Sequence, residues 1–409
     1  VSQAIAGSAD SIQLNATGNA SGVGIDIDAN LAAGFDNASV ATLGGNITLT
    51  SASGGSIDID ADVSSGNGGS IVYSATAANI NVGVNAAGSD TVAVGAGSIS
   101  ALTTTSGNGI MSRGDFQTAT GAISVNSAGT FTILAGERVT VTGGAGDITI
   151  VAGGAATIGI GASTSLETID AAGALSDILI STSSANANIA LDDFAIAADS
   201  GSITLNAGTG AVTVGSAAGS ESIETDGSVT IQANGIGATN PLEITHGTDG
   251  DDTLTISTTG TNNVDIDMLD NDDWGAFVLS VPSIAASQSI SVELDAPGDG
   301  ALIATLIGTS TAAASLSGTK VLTTDMLLSF SATSGVLTVA NAGVSTTTGD
   351  VVLGSAGSIV LGSAMATADV ITAANTGAIA LSATGGSITT LDSVTAFELA
   401  ASGEVALRA

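Results

Sequence analysis

One short pattern is repeated along most of the sequence: two large apolar residues flank a polar or small residue, and a corner of small residues follows. The stretch from Gly121 to Gly161, GAISVNSAGTFTILAGERVTVTGGAGDITIVAGGAATIGIG, contains five copies. Alternation with a period of two places both apolar residues on one face of a β-strand and the middle residue on the other face. Strands this short are unstable alone, so the pattern predicts that they stack on one another.

The spacing of the copies limits the possible folds to two. Copies follow one another mostly at intervals of 8 to 14 residues, and Gly-rich corners separate them. Either tandem antiparallel β-sandwiches or a parallel β-solenoid can be built from such units. Hairpins favour Asn-Gly and Asp-Gly turns, whereas the corners here are Gly-Gly, Ala-Gly, Ser-Gly and Thr-Gly. We therefore expect an all-β parallel solenoid, with two strands and about 20 residues in each coil.

The repeat weakens in one long stretch. From Asp265 to about Ser331 the glycine corners become rare, while Trp274, Pro282 and Pro297 appear together with a dense acidic cluster. We predict a β-solenoid over residues 1–264, an irregular insertion or small β-subdomain over residues 265–331, and a continuation of the solenoid over residues 332–409.

The charge balance excludes several classes of partner. The 409 residues include 4 Lys and Arg against 38 Asp and Glu, which gives a net charge of −34. Nucleic-acid binding requires clustered cations, and anionic lipid is disfavoured for the same electrostatic reason. The cations are scattered along the chain at Arg113, Arg138, Lys320 and Arg408. We expect no nucleic-acid partner.

The sequence also bears on the compartment. It has no run of 18 or more apolar residues, so we predict no membrane-spanning segment. It has no Cys, which is compatible with a bacterial surface protein. It starts at Val1 with no basic and apolar leader, as expected of a mature secreted product or a fragment of a longer polypeptide. We expect a secreted protein at the cell surface or outside the cell.

Three phrases of the repeat resemble a known family. GSITLNAGTGAVTVG, GGNITLTSASGGSIDI and TGAIALSATGGSITTL, which begin at Gly201, Gly44 and Thr376, are similar to the repeat region of filamentous-haemagglutinin-like large exoproteins. The resemblance covers about three quarters of the chain and leaves out Asp265 to Ser331. It implies a right-handed parallel β-helix, secreted and displayed as an adhesive or structural fibre.

Carboxylates are the candidate metal ligands. The phrase HGTDGDDTLTI, from His246, resembles half of a calcium-binding nonapeptide repeat and occurs once. Hard cations such as calcium prefer carboxylate oxygens, and clustered carboxylates repel one another unless they are neutralised. Calcium is therefore the one cofactor that we consider. Its candidate ligands form two clusters: Asp249, Asp251, Asp252, Asp265, Asp267, Asp270, Asp272 and Asp273.

A third acidic phrase, DIDAD, places Asp58, Asp60 and Asp62 at alternate positions. On one strand their side chains would lie about 7 Å apart, too far to surround one ion. Adjacent coils could complete a site, and a solvated acidic surface is the simpler interpretation. The hydroxyls of Thr140 and Thr142, and of residues 346–348, suggest an ice-binding surface, but they are not repeated in register over many coils.

No catalytic group can be assembled from the sequence. Polysaccharide lyases and hydrolases also use β-helices, but such enzymes need a cation or an acid–base pair beside the substrate. The single His246 and the four scattered cations provide no such arrangement. We expect a protein that is not an enzyme, and His246 is interpreted as a surface residue.

The leading hypothesis is a secreted structural protein. It would form or decorate a bacterial extracellular fibre, sheath or surface lattice through a homo-oligomer or filament. The alternative is an adhesin that binds host glycan or protein through residues 265–331, where Trp274 and Phe277 are the candidates for an exposed aromatic platform. An enzyme acting on polysaccharide ranks third.

Overall fold

The computed structural model consists of β-strands, numbered β1 to β46 in chain order. The described part of the chain contains no helix long and apolar enough to cross a membrane. The structure describes residues 5–7, 11–17, 22–28, 31–33, 35–36, 40–41, 45–66, 68–83, 90–93, 95–134, 137–143, 146–160, 169–171, 176–192, 195–215, 222–237, 240–246, 253–258, 264–269, 276–281, 290–294, 301–306, 314–317, 322–324, 328–332, 337–340, 343–346, 350–355, 357–361, 369–373, 377–390, 397–401 and 403–409.

The chain divides into two compact units. The first comprises Val1–Gly210 with Gly215–Thr225, and the second comprises Ala211–Val214 with Asp226–Ala409.

The first unit contains three parallel sheets. Sheet I consists of β2 (Ile12–Ala16), β7 (Ile47–Ser51), β10 (Ile71–Ala75), β13 (Ile99–Thr103), β16 (Ile123–Ser127), β19 (Ile148–Ala152), β22 (Ile178–Thr182) and β25 (Ile203–Asn206). Sheet II consists of β3 (Gly22–Ile27), β8 (Gly55–Ile59), β11 (Ile80–Val82), β14 (Ile110–Ser112), β17 (Phe131–Leu134), β20 (Ala156–Ile160) and β23 (Ile189–Leu191). Sheet III consists of β1 (Ile5–Gly7), β4 (Leu31–Ala33), β9 (Val63–Ser65), β12 (Thr91–Ala93), β15 (Phe116–Thr118), β18 (Val139–Val141), β21 (Ile169–Ala171), β24 (Ala195–Ala198) and β27 (Ser222–Thr225). A short antiparallel pair, β5 (Phe35–Asp36) and β6 (Val40–Ala41), lies outside these sheets.

Successive strands visit the three sheets in turn, which produces a parallel β-solenoid of about eight turns. The predicted solenoid is confirmed, and antiparallel sandwiches are excluded because the strands of sheets I to III pair in parallel. The predicted coil size is wrong. A coil has three strands, and its length measured along sheet I runs from 24 residues between Ile47 and Ile71 (71 − 47) to 35 between Ile12 and Ile47 (47 − 12). The right-handed winding stays a prediction.

The second unit also consists of parallel sheets. Sheet IV contains β28 (Val229–Ala233), β30 (Thr253–Thr258), β32 (Ala276–Val281), β34 (Ala301–Leu306), β37 (Leu328–Ala332), β40 (Val351–Ser355), β43 (Ile379–Ala383) and β46 (Val405–Arg408). Sheet V contains β29 (Leu242–His246), β31 (Val264–Leu269), β33 (Ile290–Leu294), β36 (Leu322–Thr324), β39 (Gly343–Thr346), β42 (Asp369–Ala373) and β45 (Phe397–Ala401). Sheet VI contains β35 (Ala314–Ser317), β38 (Leu337–Ala340), β41 (Ile359–Leu361) and β44 (Ile388–Thr390). Separately from sheet VI, β26 (Val212–Val214) pairs with Ile236 through a parallel bridge.

Strand pairing continues through the stretch predicted as an insertion. Within residues 265–331, β32 pairs in parallel with β30 and β34, and β33 pairs with β31 and β36. The segments that join these strands, where an insertion would lie, are outside the described residues. The division at residues 265 and 331 therefore stays a prediction.

The core is a set of aliphatic columns that run from coil to coil. Alternate residues of each strand point inward, and the two inward residues Ile47 and Leu49 of β7 are fully buried. Large and small residues compensate one another between neighbouring coils: Tyr73 lies between Leu49 and Ala101. Close packing of this kind leaves few voids in a narrow core. Each coil therefore buries apolar surface mainly against its neighbours.

Buried hydroxyl groups close the corners. The Oγ of Ser51, at the end of β7, donates a hydrogen bond to the carbonyl of Gly55 at 2.5 Å. Ser127 Oγ donates to the carbonyl of Thr130 at 2.7 Å. A buried carbonyl without a partner would cost about 1–3 kcal/mol. The Ser and Thr residues at strand ends thus satisfy backbone groups where the chain leaves the sheet.

Candidate functional site

The predicted calcium ligands fall largely outside the structure. Six of the eight lie outside the described residues: Asp249, Asp251, Asp252, Asp270, Asp272 and Asp273. The other two, Asp265 and Asp267, occupy alternate positions of β31, and their side chains are not described. In the pairing register Asp267 lies between Glu243 and Glu293 of adjacent strands. Calcium binding at these residues stays a prediction.

The acidic phrase DIDAD is split by a corner rather than forming one strand. β8 ends at Ile59, so Asp58 belongs to sheet II while Asp60 and Asp62 lie on the turn that follows. Asp58 pairs in register with Asn81 of the next coil, whose Nδ2 donates to the Asp58 carboxylate at 2.7 Å. The phrase therefore does not present three carboxylates along a single strand.

Adjacent coils bring Asp60 together with Asp26 and Asp28 instead. One carboxylate oxygen from each of these residues lies within 4.8 Å of the others, and the group is at the surface. Burial, followed by the charge of Asp28, raises the pKa of Asp26. Three carboxylates at this spacing can provide part of the oxygen shell of a divalent cation, with water completing it. The sequence hint was the repeated Asp-x-Asp phrase, but the partners are separated by a full coil.

A second line of carboxylates runs along the corner that precedes sheet III. Asp90 N–H donates to Asp62 Oδ1 at 3.2 Å, and Asp115 N–H donates to Asp90 Oδ1 at 3.3 Å. The line ends where Arg138 N–H donates to Asp115 Oδ1 at 2.7 Å. Each side chain thus binds the backbone of the next coil at the equivalent position. These carboxylates have a structural role because they satisfy backbone donors at the corner.

The end of this line is electrostatically strained. Burial and the charges of Asp115 and Asp90 raise the pKa of Glu137 to about 7. Burial also raises the pKa of Asp115, although the backbone hydrogen bond from Arg138 acts in the opposite direction. Proton uptake at Glu137 therefore relieves repulsion among neighbouring carboxylates. The sequence does not show this because Asp90, Asp115 and Glu137 lie on successive coils.

The corner before sheet I carries a similar line of polar residues. Ser70 N–H donates to Asn46 Oδ1 at 2.9 Å, and Ser202 N–H donates to Asp177 Oδ1 at 2.7 Å. Asp177 N–H in turn donates to Asp147 Oδ1 at 3.1 Å. A depression of about 340 Å³ is lined by Asp147, Asp177, Ser202 and residues of the neighbouring strands. The corresponding sequence signal is a polar residue directly before the first apolar residue of a strand.

The remaining predicted residues are His246, the aromatic pair Trp274 and Phe277, and the threonines Thr140 and Thr142. The backbone of His246 ends β29, and Phe277 lies on β32, but neither side chain is described; Trp274 is outside the described residues. Thr140 is buried within β18, and Thr142 lies beyond the end of that strand. The two Thr residues therefore do not form an exposed row on β18.

No family model matches the chain, and neither the search of curated proteins nor that of solved structures gives a match. The fold is that of a parallel β-solenoid repeat protein.

Proposed function

We propose that this chain is a secreted structural protein that self-associates into a fibre, sheath or lattice at a bacterial surface. The observation that carries the proposal is the uninterrupted stacking of coils in the first unit, from β7 to β25. Each coil is hydrogen-bonded to the next through three parallel sheets around fully buried aliphatic columns. Stability in such a stack accumulates from neighbour to neighbour. This architecture is suited to stiffness.

Side-chain contacts between coils support the same role. The polar lines on two corners add hydrogen bonds between coils that sheet pairing alone does not provide. They use residues of one coil to hold the backbone of the next, so adjacent coils resist sliding and separation. The buried hydroxyls of Ser51 and Ser127 satisfy the corners from inside. A scaffold benefits from each of these features, whereas a binding site would need only a few of them.

Two of the four cations, Arg113 and Arg138, are placed in a way that favours resistance to proteases. The backbone N–H of Arg113 donates to the carbonyl of Val82 at 2.8 Å, and the carbonyl of Arg138 accepts from Phe116 N–H at 2.8 Å. Trypsin-like proteases need an extended, unpaired segment around Lys or Arg, and opening a stacked coil is costly. A protein that persists outside the cell gains from this arrangement.

The source and location are inferred from the sequence. The repeat resembles that of filamentous-haemagglutinin-like exoproteins, whose implied β-helix agrees with the solenoid architecture. A net charge of −34 and the lack of Cys are compatible with a secreted surface protein. We expect divalent cations to promote assembly, because carboxylates such as Asp26, Asp28 and Asp60 repel one another between copies unless they are neutralised.

The test is electron microscopy of the purified chain. Samples are prepared at equal protein concentration with calcium, with a calcium chelator, and with magnesium as a control for general screening. Regular filaments or sheets support the proposal, and their loss with the chelator supports cation bridging. Dispersed single particles under all three conditions contradict the proposal. Dispersed particles that bind a polysaccharide or host protein would instead support the adhesin.

A further inference from the structure

The outer surface of sheet I carries no charged residue. The outward positions are the second and fourth residues of each of its eight strands, from β2 to β25. They are occupied by Ser, Thr, Asn, Gln, Val and Leu, and all are exposed or half-buried. By contrast, the outward residues of sheet II include Asp26 and Asp58. This surface is called the neutral face below.

A charge-free face favours contact between copies of this chain, because its net charge is −34. Two copies repel one another at distances up to the screening length of about 8 Å at physiological salt. Contact through a carboxylate-bearing face would also remove the charges from water, which is costly unless they are paired. Of the three described sheets of the first unit, sheet I is the one whose outward residues include no carboxylate, so close approach of a second copy meets the least opposition there.

The carboxylates at the border of the neutral face accept hydrogen bonds from the backbone. Asp147 and Asp177 lie on the corner directly before its strands, and their Oδ1 atoms accept hydrogen bonds from the next coil. Backbone donors thus compensate part of their charge. The strands themselves present only neutral donors, acceptors and aliphatic groups.

The face offers both apolar and polar contact. Val72, Leu102, Val151 and Leu179 are half-buried on its outer side, and hydroxyl and amide groups surround them. At about 4.8 Å per strand and 3.3 Å per residue, seven strands of five residues and one of four cover roughly 600 Å². Two copies would bury roughly 1,200 Å² in total, the lower end of the range for stable interfaces.

We propose that the neutral face is the lateral contact through which two copies of this chain pack side by side. The inference rests on the proposed structural function and names the surface that it would use. A second copy fits better than a glycan because the face carries no aromatic ring to stack on a sugar and no charge to orient one. The same face on both partners gives a self-complementary contact with two-fold symmetry.

The first test uses cysteine cross-linking, which is unambiguous because the chain has no Cys. Asn126→Cys places a thiol at the centre of the neutral face, on β16, and Gln117→Cys places one on β15 of sheet III as the matched control. We expect a short bifunctional thiol reagent to give dimers with Asn126→Cys and little dimer with Gln117→Cys. Equal yields from the two variants would overturn the proposal.

The second test adds a charge at the same two positions. Asn126→Asp and Gln117→Glu are nearly isosteric, and each adds one negative charge. Two-fold packing would place two such charges in one interface, so we expect Asn126→Asp to weaken association by about tenfold. Gln117→Glu is expected to leave it unchanged. Sedimentation over a range of concentrations measures both, and circular dichroism verifies the fold.

The outcomes separate this inference from the proposed function. Association of the unmodified chain that is equally strong in both charge variants overturns the neutral face and leaves the structural role intact. A chain that stays monomeric at every concentration overturns both. Loss of polysaccharide binding in Asn126→Asp, with association unchanged, would assign the face to a glycan and contradict the inference.

Discussion

Gly121→Ala should weaken the stack of coils at one defined corner. Gly121 lies two residues before β16, directly against Gly97 in the equivalent position of the preceding coil. A Cβ on Gly121 would lie 2.0 Å from the Gly97 carbonyl oxygen and 2.5 Å from its carbon, whereas ordinary contact begins at 3.4 Å. The two corners would have to separate by about 1.4 Å, against a strand spacing of about 4.8 Å.

The expected cost follows from what can move. The obstructing atoms are backbone, and Ile99 N–H donates to the carbonyl of Ala122 at 3.0 Å immediately beside them. Overpacking of a rigid site costs about 1–3 kcal/mol, so we expect Gly121→Ala to lower the free energy of unfolding by about 2 kcal/mol. Ser176 occupies the equivalent position two residues before β22, at the end of a coil of 30 residues (178 − 148) rather than the 24 (123 − 99) of the coil that ends at Gly121.

Gly143→Ala is the matched control. A Cβ there would meet only the carbonyl oxygen of Ala119, at 3.7 Å. Both variants reduce the conformational freedom of the unfolded chain equally, by about 0.4–1 kcal/mol in favour of folding. The difference between them therefore isolates the steric effect. Urea unfolding followed by circular dichroism measures it, and the Ile99 amide should exchange ~30-fold faster in Gly121→Ala. Variants that agree within ~0.5 kcal/mol would refute the reasoning.

Two further predictions concern a titrating carboxyl and a buried hydroxyl. Because the folded state raises the pKa of Glu137 from 4.5 to about 7, this side chain stabilises the fold below pH 4.5 and loses that contribution as the pH rises through 7. Glu137→Gln should therefore be more stable than the unmodified chain at pH 8 by about 1 kcal/mol after allowance for solvent screening. At pH 4 the two proteins should be equally stable. A urea midpoint of Glu137→Gln at pH 8 that is no higher than that of the unmodified chain would contradict this. The fully buried Tyr73 hydroxyl lies 3.0 Å from Thr91 Oγ1, so Tyr73→Phe should cost about 1–2 kcal/mol in urea unfolding. The double variant Tyr73→Phe with Thr91→Val should recover part of that loss, and strictly additive effects would argue against the hydrogen bond.

The candidate site was predicted only in outline. The abundance of carboxylates indicated where cations could bind, and the Asp-x-Asp phrase around Asp58 was identified. The cluster that forms was not predicted. The chain turns after Ile59, so Asp60 lies beside Asp26 and Asp28 of the preceding coil. Which residues of adjacent coils meet depends on the number of residues in each coil. No local pattern in the sequence specifies that length.

The roles of the corner residues were also not predictable from the sequence. A polar residue stands directly before the first apolar residue of many strands, as at Asp177, and glycine often precedes it. The sequence shows these positions, but it does not show which groups of the neighbouring coil they contact. Only the stacked coils reveal that the Asp177 carboxylate binds the backbone of Ser202, or that Gly121 must leave room for Gly97.

The sequence by itself determined the strands and their inward faces, because alternation with a period of two is a local property of an extended chain. It also determined the parallel solenoid, since short strands between glycine corners have few other ways to bury their apolar side. Tertiary structure alone decided that three strands complete a coil and which residues lie above one another. Those outcomes depend on how each coil closes and on the hydrogen bonds to its neighbours, and the paired residues of sheet I lie 24 to 35 positions apart in the sequence.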